Sequence, residues 1–143
     1  MLRILPVEKP EHWQAAQAIR MAVFVAEQGV PAEEEMDAYD AEARHWLVLS
    51  DDTPIGTARA LEKAGAWKIG RVAVLAAHRG SGVGAELMRA IIAEAEQLGV
   101  PELMLDSQTH ALGFYERLGF CAEGPEFLDA GIPHRRMRRA SRR

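Results

Sequence analysis

A basic, glycine-rich stretch is the part of this 143-residue sequence whose residue types point most directly to chemistry. It runs Arg79-Gly80-Ser81-Gly82-Val83-Gly84, between the apolar segment 72–75 and the start of a long apolar periodicity. Backbone N–H groups in such a turn can converge on one point, where the dipole of the following helix already favours negative charge. Glycine lets an anion approach the backbone because it has no Cβ and accepts positive φ. The stretch therefore predicts an anion-binding loop.

Two nucleotide-binding patterns fit this loop poorly. A nucleoside-triphosphate loop needs Lys followed by Ser or Thr, whereas Gly84 is followed by Ala85-Glu86. The dinucleotide pattern G-x-G-x-x-G/A is formally matched by residues 80–85, with Asp106 where a ribose-binding acid would lie. Only 37 residues follow Asp106, however, which is too few for the second half of such a domain. Triphosphate hydrolysis and dinucleotide binding are both disfavoured.

The elements that precede the loop are a helix and a meander of strands. Apolar residues recur every three or four positions from Pro10 to Ala26, which predicts a helix that Gly29 and Pro31 end. A weaker pattern allows a short helix within 33–40. Three β-prone segments separated by turn residues then predict antiparallel strands, over 45–50, 55–62 and 67–75.

The elements that follow the loop alternate between helix and strand. An apolar stripe from Val83 to Leu98 predicts a long helix, which Gly99 and Pro101 end. We expect four further elements, namely a buried strand at 103–105, a helix at 111–118, a strand from Phe120 and an edge strand at 133–139. The sequence predicts an α+β protein, a single domain over 1–143 with a central mixed, mostly antiparallel sheet flanked by about four helices.

Composition restricts the class of protein. The formal net charge is -4, with 48% hydrophobic and 27% charged residues, as in a soluble globular domain. The single cysteine, Cys121, is expected to be a buried apolar residue, and five scattered histidines offer no metal-ligand spacing. No segment approaches the roughly 20 apolar residues that a bilayer requires. We expect a cytoplasmic protein with neither a metal nor a membrane partner.

The net charge conceals two charged regions. Residues 27–52 contain nine acids and one base, a formal charge of -8, and residues 134–143 contain six arginines and no acid. Such runs are often only solvated surface. The alternative is that the acidic stretch attracts a cation and the arginine cluster an anion. The arginine cluster lacks the interleaved aromatic residues of a nucleic-acid surface, so no nucleic-acid partner is expected.

Two motifs together resemble the GNAT superfamily of acetyl-CoA-dependent N-acetyltransferases. The first is Arg-x-x-Gly-x-Gly within the glycine loop, and the second is Phe114-Tyr115-x-x-x-Gly119-Phe120, about 30 residues further on. The resemblance covers nearly the whole chain and implies acetyl-CoA as cosubstrate. It assigns the cofactor contacts to Val72, Ala73, Val74, Arg79, Gly80, Ser81, Gly82, Val83, Gly84, Gln108 and Tyr115. In it, 72–74 pair with the pantetheine arm and the loop wraps the pyrophosphate.

A narrower similarity is to the bacterial ElaA-like and YjcF-like branch of that superfamily. It rests on the stretch 20–28 (Arg-Met-Ala-Val-Phe-Val-Ala-Glu-Gln), on 70–72, on Gln108 and on 131–134. The first stretch also resembles the acyl-homoserine-lactone synthases, which generally take acyl groups from a carrier protein. The intact pyrophosphate loop favours CoA.

Acetyl transfer to an amine requires a base, stabilisation of an oxyanion and a proton for the departing thiolate. By resemblance, Tyr115 supplies that proton, and a backbone N–H within 72–74 stabilises the oxyanion. The base remains open between His134, which we select, and four alternatives, namely His110, Glu27, Glu34 and Glu35. In the family the segment after the first helix borders the acceptor cleft, so Glu27 and Glu35 are expected to bind a cationic amine.

These residues predict direct transfer of acetyl from acetyl-CoA to a primary amine in a ternary complex. The acceptor is a small-molecule or peptide amine that the sequence does not identify, and homodimerisation is a family expectation. The alternatives are a CoA-binding sensor or interaction protein without turnover, and an acyltransferase related to the homoserine-lactone synthases.

Overall fold

The computed structural model describes residues 1–141, which form seven strands and four α-helices. The strands are Leu2–Pro6 (β1), Arg44–Ser50 (β2), Thr53–Lys63 (β3), Ala66–Val74 (β4), Glu102–Gln108 (β5), Cys121–Asp129 (β6) and Ile132–Ala140 (β7). The α-helices are Pro10–Arg20 (α1), Ala32–Glu35 (α2), Val83–Gln97 (α3) and Leu112–Glu116 (α4). A π-helical segment, Met21–Glu27, continues α1, and 3₁₀ turns occupy Ala38–Ala41, Ala76–His78 and Thr109–Ala111.

The strands are hydrogen-bonded in the order β1-β2-β3-β4-β5-β7-β6. The pair β4/β5 is parallel, whereas β1/β2, β2/β3, β5/β7 and β6/β7 are antiparallel. The predicted α+β class, with a mixed and mostly antiparallel sheet and about four helices, is confirmed. The prediction of an edge strand at 133–139 is wrong, because β7 pairs with β5 on one side and with β6 on the other. The strand at this edge of the sheet is β6, and β1 lies at the other edge.

Three hairpins have two-residue turns in which both residues have positive φ. The turns are Asp51–Asp52, Ala64–Gly65 and Ala130–Gly131, with φ values between 46° and 86°. Turns of this kind match the right-handed twist of the flanking strands, which is why Asp and Gly are common in them. The sequence signals at 51–54 and 63–65 therefore correspond to true strand connections.

The described chain packs as two compact units, the first of residues 1–61 and 71–87 and the second of 62–70 and 88 onward. In the first unit, α1 and the π-helical segment pack against β2. Ala16, Ile19 and Val23 form a buried apolar cluster with Leu47 and Leu49 of β2. The predicted helix over 10–26 is therefore present, but its second half is π-helical. Strand β1 was not among the predicted elements; it pairs with β2 over its whole length.

In the second unit, the core is formed by apolar residues of β5, β7 and the segment after α4. Leu103, Leu105, Phe120 and Met137 are all buried. The stripe predicted for α3 is buried as expected except at its end, where Leu98 is exposed. The prediction that Cys121 is buried is wrong, because its side chain lies exposed on the edge strand.

No helix among residues 1–141 is both long and apolar enough to cross a membrane. Arg142 and Arg143, two of the six arginines in the C-terminal cluster, lie outside the described residues.

Candidate functional site

The glycine loop connects the end of β4 to the N-terminus of α3, as the sequence predicts. Gly80 and Gly82 have φ values of +84° and +86°, and a Cβ built at either position would meet no atom within 4 Å. The first helical bond of α3 is donated by Glu86 N to Gly82 O, at 3.0 Å. The amides of the residues just before Glu86 therefore have no helical acceptor. They leave an open, backbone-lined cradle with the positive end of the helix dipole beneath it.

Arg79 lies across the base of this loop, held by two groups of the first unit. Its Nε donates to Val74 O at 2.8 Å, and both Nη atoms donate to the Glu27 carboxylate at 2.8 Å. This hydrogen bonding lowers the pKa of Glu27 and raises that of Arg79. Ser81 adds a bond from its hydroxyl to His78 O, at 3.0 Å. The cation predicted to hold a phosphate is thus already oriented by an acid.

Strand β4 changes character within its length. Residues Trp67–Ile69 pair in parallel with Leu103–Leu105. Two residues later Arg71 adopts φ +52°, in the left-handed region that side chains other than glycine rarely occupy. The segment 72–74 follows directly, with Ala73 buried in the core of the first unit. This departure of Arg71 from extended geometry, which we call the kink, lies immediately before the residues predicted to face the cofactor.

Six charged side chains of alternating sign form a closed ring in the first unit. In order around the ring they are Arg20, Glu35, Arg71, Asp37, Arg59 and Asp40, and Asp40 contacts Arg20 again. The six N···O distances lie between 2.7 and 3.3 Å. The acids come from α2 and the segment after it, and the arginines come from α1, β3 and β4. We call this set the charge ring.

The charge ring corrects the reading of the acidic stretch as a free anionic surface. Six of the nine acids in this stretch form ion pairs. Three of them belong to the charge ring, and Glu27 binds Arg79. Asp51 binds the N-terminal amine, and Asp52 binds Arg3. The side chain of Glu35 is only 1% exposed and is paired with two arginines. The structure therefore argues against the predicted role of Glu35 in binding an amine.

Tyr115, the predicted proton donor, is in the second unit on α4. Its ring packs edge-on against Phe114 and Phe120, with centroids 4.9 and 6.0 Å apart. Its carbonyl accepts backbone bonds from Leu118 and Phe120, which close the turn after the helix. Burial raises the pKa of Tyr115 to about 12. The phenol therefore keeps its proton throughout the neutral range.

His134 is also in the second unit and is 8% exposed. Its Nδ1 lies 2.7 Å from Ile132 O, and its ring stacks on Phe127 with centroids 5.9 Å apart. Because a carbonyl can only accept, the ring proton of neutral His134 is on Nδ1 and its Nε2 is the basic nitrogen. Gln108 pairs with His134 in the register of β5 and β7, and its Oε1 lies 2.7 Å from His110 Nε2.

Three arginines of β7 are paired with acids of the second unit, and Arg135 donates to Gly124 O. Arg136 and Lys68 both bind Asp106, Arg138 binds Glu102 and Glu123, and Arg139 binds Glu96. The carboxylate of Asp106, which would have to bind ribose in a dinucleotide site, is thus engaged by two cations. Within residues 1–141, no group of three or more His, Cys, Asp or Glu side chains is arranged to hold a metal ion.

The predicted residues thus fall into two sets. Val72, Ala73, Val74, the loop Arg79–Gly84, Glu27 and Glu35 belong to the first unit, and Gln108, Tyr115 and His134 belong to the second. The charge ring was not predicted, although one signal for it existed. Arg20 falls on the apolar face of the first helix, three and four residues from Val23 and Ala16, where a charge requires a partner.

The protein has a mixed sheet and an open glycine loop at the start of its longest helix. These features define the class of α+β proteins that bind phosphorylated ligands by backbone amides. Comparison with known proteins identifies the family. Residues 9–141 match the acetyltransferase (GNAT) domain, and the chain belongs to this family of acyl-CoA-dependent enzymes, which acetylate amines.

Individual relatives agree with this assignment. The uncharacterized N-acetyltransferase YjcF of Bacillus subtilis is 39% identical over 137 residues, which are 95% of this chain and 98% of that protein. Among solved structures, an acyl-CoA N-acyltransferase from Pseudomonas aeruginosa superposes with a TM-score of 0.88 at 31% identity, covering 98% of this chain and 100% of that one. Escherichia coli ElaA gives a TM-score of 0.87 at 29% identity, covering 97% and 99%. The resemblance to the GNAT superfamily and its ElaA-like and YjcF-like branch is confirmed.

Proposed function

We propose that this protein transfers an acetyl group from acetyl-CoA to a primary amine, by direct attack of the amine in a ternary complex. The observation that carries the proposal is the open glycine loop, in which Gly80 and Gly82 adopt positive φ and no protein atom occupies the space where a Cβ would lie. A diphosphate can approach such a backbone closely. The amides at the start of α3 and the helix dipole then favour its charge.

The residues of the first unit fit the CoA part of the cosubstrate. The loop 79–84 would hold the pyrophosphate, and the main chain of 72–74 would pair with the pantetheine arm. Arg79 retains N–H groups for a phosphate, because its contacts to Val74 and Glu27 use three of the five N–H bonds of its guanidinium. When bound, the cosubstrate supplies an activated thioester carbonyl. A backbone N–H within 72–74 would stabilise the negative charge that develops on that oxygen.

Tyr115 is the proposed donor to the departing thiolate. With a pKa of about 12, its hydroxyl is protonated at every pH at which the protein is folded and active. A thiol has a pKa near 8.5, so full proton transfer from Tyr115 would be uphill by about 5 kcal/mol, at about 1.4 kcal/mol per unit. We therefore assign Tyr115 a strong hydrogen bond from its Oη, which stabilises the thiolate until it takes a proton from solvent, while the proton lost by the amine passes to the base.

His134 is the proposed base. Its Nδ1 is committed to Ile132 O, which leaves Nε2 to accept a proton from the amine. The acidic alternatives are weaker, because Glu35 is buried between two arginines and Arg79 lowers the pKa of Glu27. Direct transfer does not use the one thiol of the chain, so Cys121→Ala is expected to retain full activity. An acyl-enzyme route through this exposed thiol would instead be abolished by the substitution.

The decisive experiment is an acetyl-CoA thiol-release assay against a panel of small amines, polyamines, aminosugars, amino acids and peptide N-termini. It is paired with calorimetric titration of acetyl-CoA into the protein. Binding together with amine-dependent thiol release supports the proposal and identifies the acceptor class. Binding without release for any amine would make the protein a CoA-binding sensor, and the absence of both would refute the proposal.

A further inference from the structure

We infer that Arg71 is a positioning residue for the acyl-CoA strand: through the charge ring it sets the kink in β4 and, with it, the main chain of 72–74. The inference rests on the proposed function in so far as 72–74 is the cofactor-facing segment. It concerns a residue for which neither the glycine loop nor the family motifs give a role.

The first argument is the backbone of Arg71. Its φ of +52° lies in the left-handed region, which an arginine adopts only when the surrounding structure holds it there. Regular pairing of β4 with β5 covers Trp67–Ile69, and the kink comes two residues after Ile69. Without the constraint, Arg71 would relax toward extended geometry. The peptide groups of the next three residues would then rotate.

The second argument is what the side chain of Arg71 holds. Its Nε and Nη2 donate to Glu35 O at 3.2 and 3.1 Å, and Nη2 also lies 3.3 Å from Glu34 O. These carbonyls end α2, a helix of four residues with no continuation to satisfy them. The same guanidinium contacts the carboxylates of Glu35 and Asp37, at 3.1 and 3.3 Å. A planar fork that reaches carbonyls and carboxylates together cannot be replaced by the point charge of a lysine.

The third argument is the closure of the ring. Glu35 is also bound by Arg20, whose Nε and Nη2 reach its carboxylate and its carbonyl, and Asp37 is bound by Arg59 at 2.7 and 3.0 Å. Asp40 joins these two arginines, which come from α1 and β3. The groups that hold Arg71 are thus held from two other elements. The kink is fixed by the fold of the first unit and not by Arg71 and α2 alone.

A purely stabilising role for the ring predicts something different from a positioning role. If the ring only stabilised the unit, loss of Arg71 would lower the melting temperature and leave a folded molecule with normal kinetics. If it positions 72–74, the variant that remains folded must show altered binding and altered local exchange. Misplacement of reacting groups by about 1 Å can cost about 100-fold in rate.

The test compares three variants with a matched control. Arg71→Ala removes the guanidinium that holds the positive φ, Arg71→Gly removes it but leaves a residue that adopts positive φ without strain, and Arg71→Lys keeps the charge without the fork. Arg3→Ala is the control, because it deletes an arginine from an exposed ion pair with Asp52. The measurements are the melting temperature, kcat and KM for acetyl-CoA well below that temperature, and hydrogen exchange of the amides in 32–40 and 72–74.

We expect Arg71→Ala to lose about 100-fold in kcat/KM. Its amides at 72–74 should exchange at least about tenfold faster, a loss of about 1.4 kcal/mol of local protection. Arg71→Gly and Arg71→Lys should fall between Arg71→Ala and the wild type, because glycine accepts positive φ and lysine keeps the charge. Arg3→Ala should match the wild type within about twofold. If Arg71→Ala does not fold, the same comparison is made with Arg71→Lys.

Wild-type kinetics and exchange at 72–74 in folded Arg71→Ala, or in Arg71→Lys if the alanine variant does not fold, would overturn the inference, and so would a uniform rise in exchange across the whole unit. Failure of the proposed function is a separate result. In that case the wild type itself does not bind acetyl-CoA, whereas the exchange of 32–40 and 72–74 still reports whether Arg71 holds the kink.

Discussion

Replacing Gly82 by alanine should weaken acetyl-CoA binding by about 10- to 150-fold in a protein that still folds. Gly82 has φ +86°, and a Cβ at this position would point into open space. The substitution therefore creates no clash within the protein. It places a methyl group where the proposed diphosphate must approach the backbone, and it strains the loop at the same time.

Two contributions to the free energy follow from this geometry. Holding an alanine at a left-handed φ costs about 1–2 kcal/mol, which should appear as a loss of folding stability. Displacement of the diphosphate from one backbone N–H removes a hydrogen bond to a charged group, worth about 1.5–3 kcal/mol. Acetyl-CoA affinity should therefore fall by about 10- to 150-fold.

Gly65 provides the matched control. It also has φ +86° with nothing within 4 Å, but it lies in the turn between β3 and β4 and not in the glycine loop. Gly65→Ala should lose the same 1–2 kcal/mol of stability in a urea titration and keep wild-type affinity in a calorimetric titration. Wild-type affinity in folded Gly82→Ala, or an equal loss of affinity in both variants, would refute the role of the loop.

Three further predictions concern other groups. Tyr115→Phe should lower kcat about 100-fold with acetyl-CoA affinity nearly unchanged. It should also remove an ionisation near pH 12 from the ultraviolet titration of tyrosine. Unchanged turnover would contradict the role of Tyr115 in stabilising the thiolate. Hydrogen bonds from Arg59 hold the pKa of Asp37 below its ordinary 3.8. The contribution of ionised Asp37 to the free energy of unfolding should therefore be complete above pH 3.8 and should fall as the pH drops below it, which urea titrations across acid pH would measure. Cys121 should react with one equivalent of a thiol reagent in the native protein, since its side chain is exposed, and labelling that requires denaturant would show otherwise.

Local patterns were sufficient to predict much of the fold. The helix at 10–26, the meander and α3 follow from residues close in sequence, whose periodicity and turn residues report local geometry. The glycine loop was also predictable, because its function depends on contiguous residues. Strand β1 was not, since its five residues become a strand only by pairing with β2, 40 to 48 positions away.

The charge ring as a whole could not be predicted from the sequence. Its six members lie between positions 20 and 71, and its acids read as a solvated acidic stretch because the arginines that neutralise them come from three other elements. A count of charge along the chain cannot report pairing in space. The order of β7 and β6 is a similar case. An arginine-rich segment suggests an edge strand until the ion pairs of Arg136, Arg138 and Arg139 with β5, β6 and α3 are known.

The pairing of Arg79 with Glu27 has a consequence for how a ligand reaches the glycine loop. A bare arginine would attract a polyanion from a distance, and the rate of association would then fall steeply as salt is added. Here the guanidinium meets its ligand with its charge already balanced by a carboxylate 2.8 Å away. Capture then depends on short-range fit to the backbone amides, and the association rate should depend only weakly on ionic strength. We therefore expect the loop to select its ligand by shape at contact, with little contribution from long-range electrostatic steering.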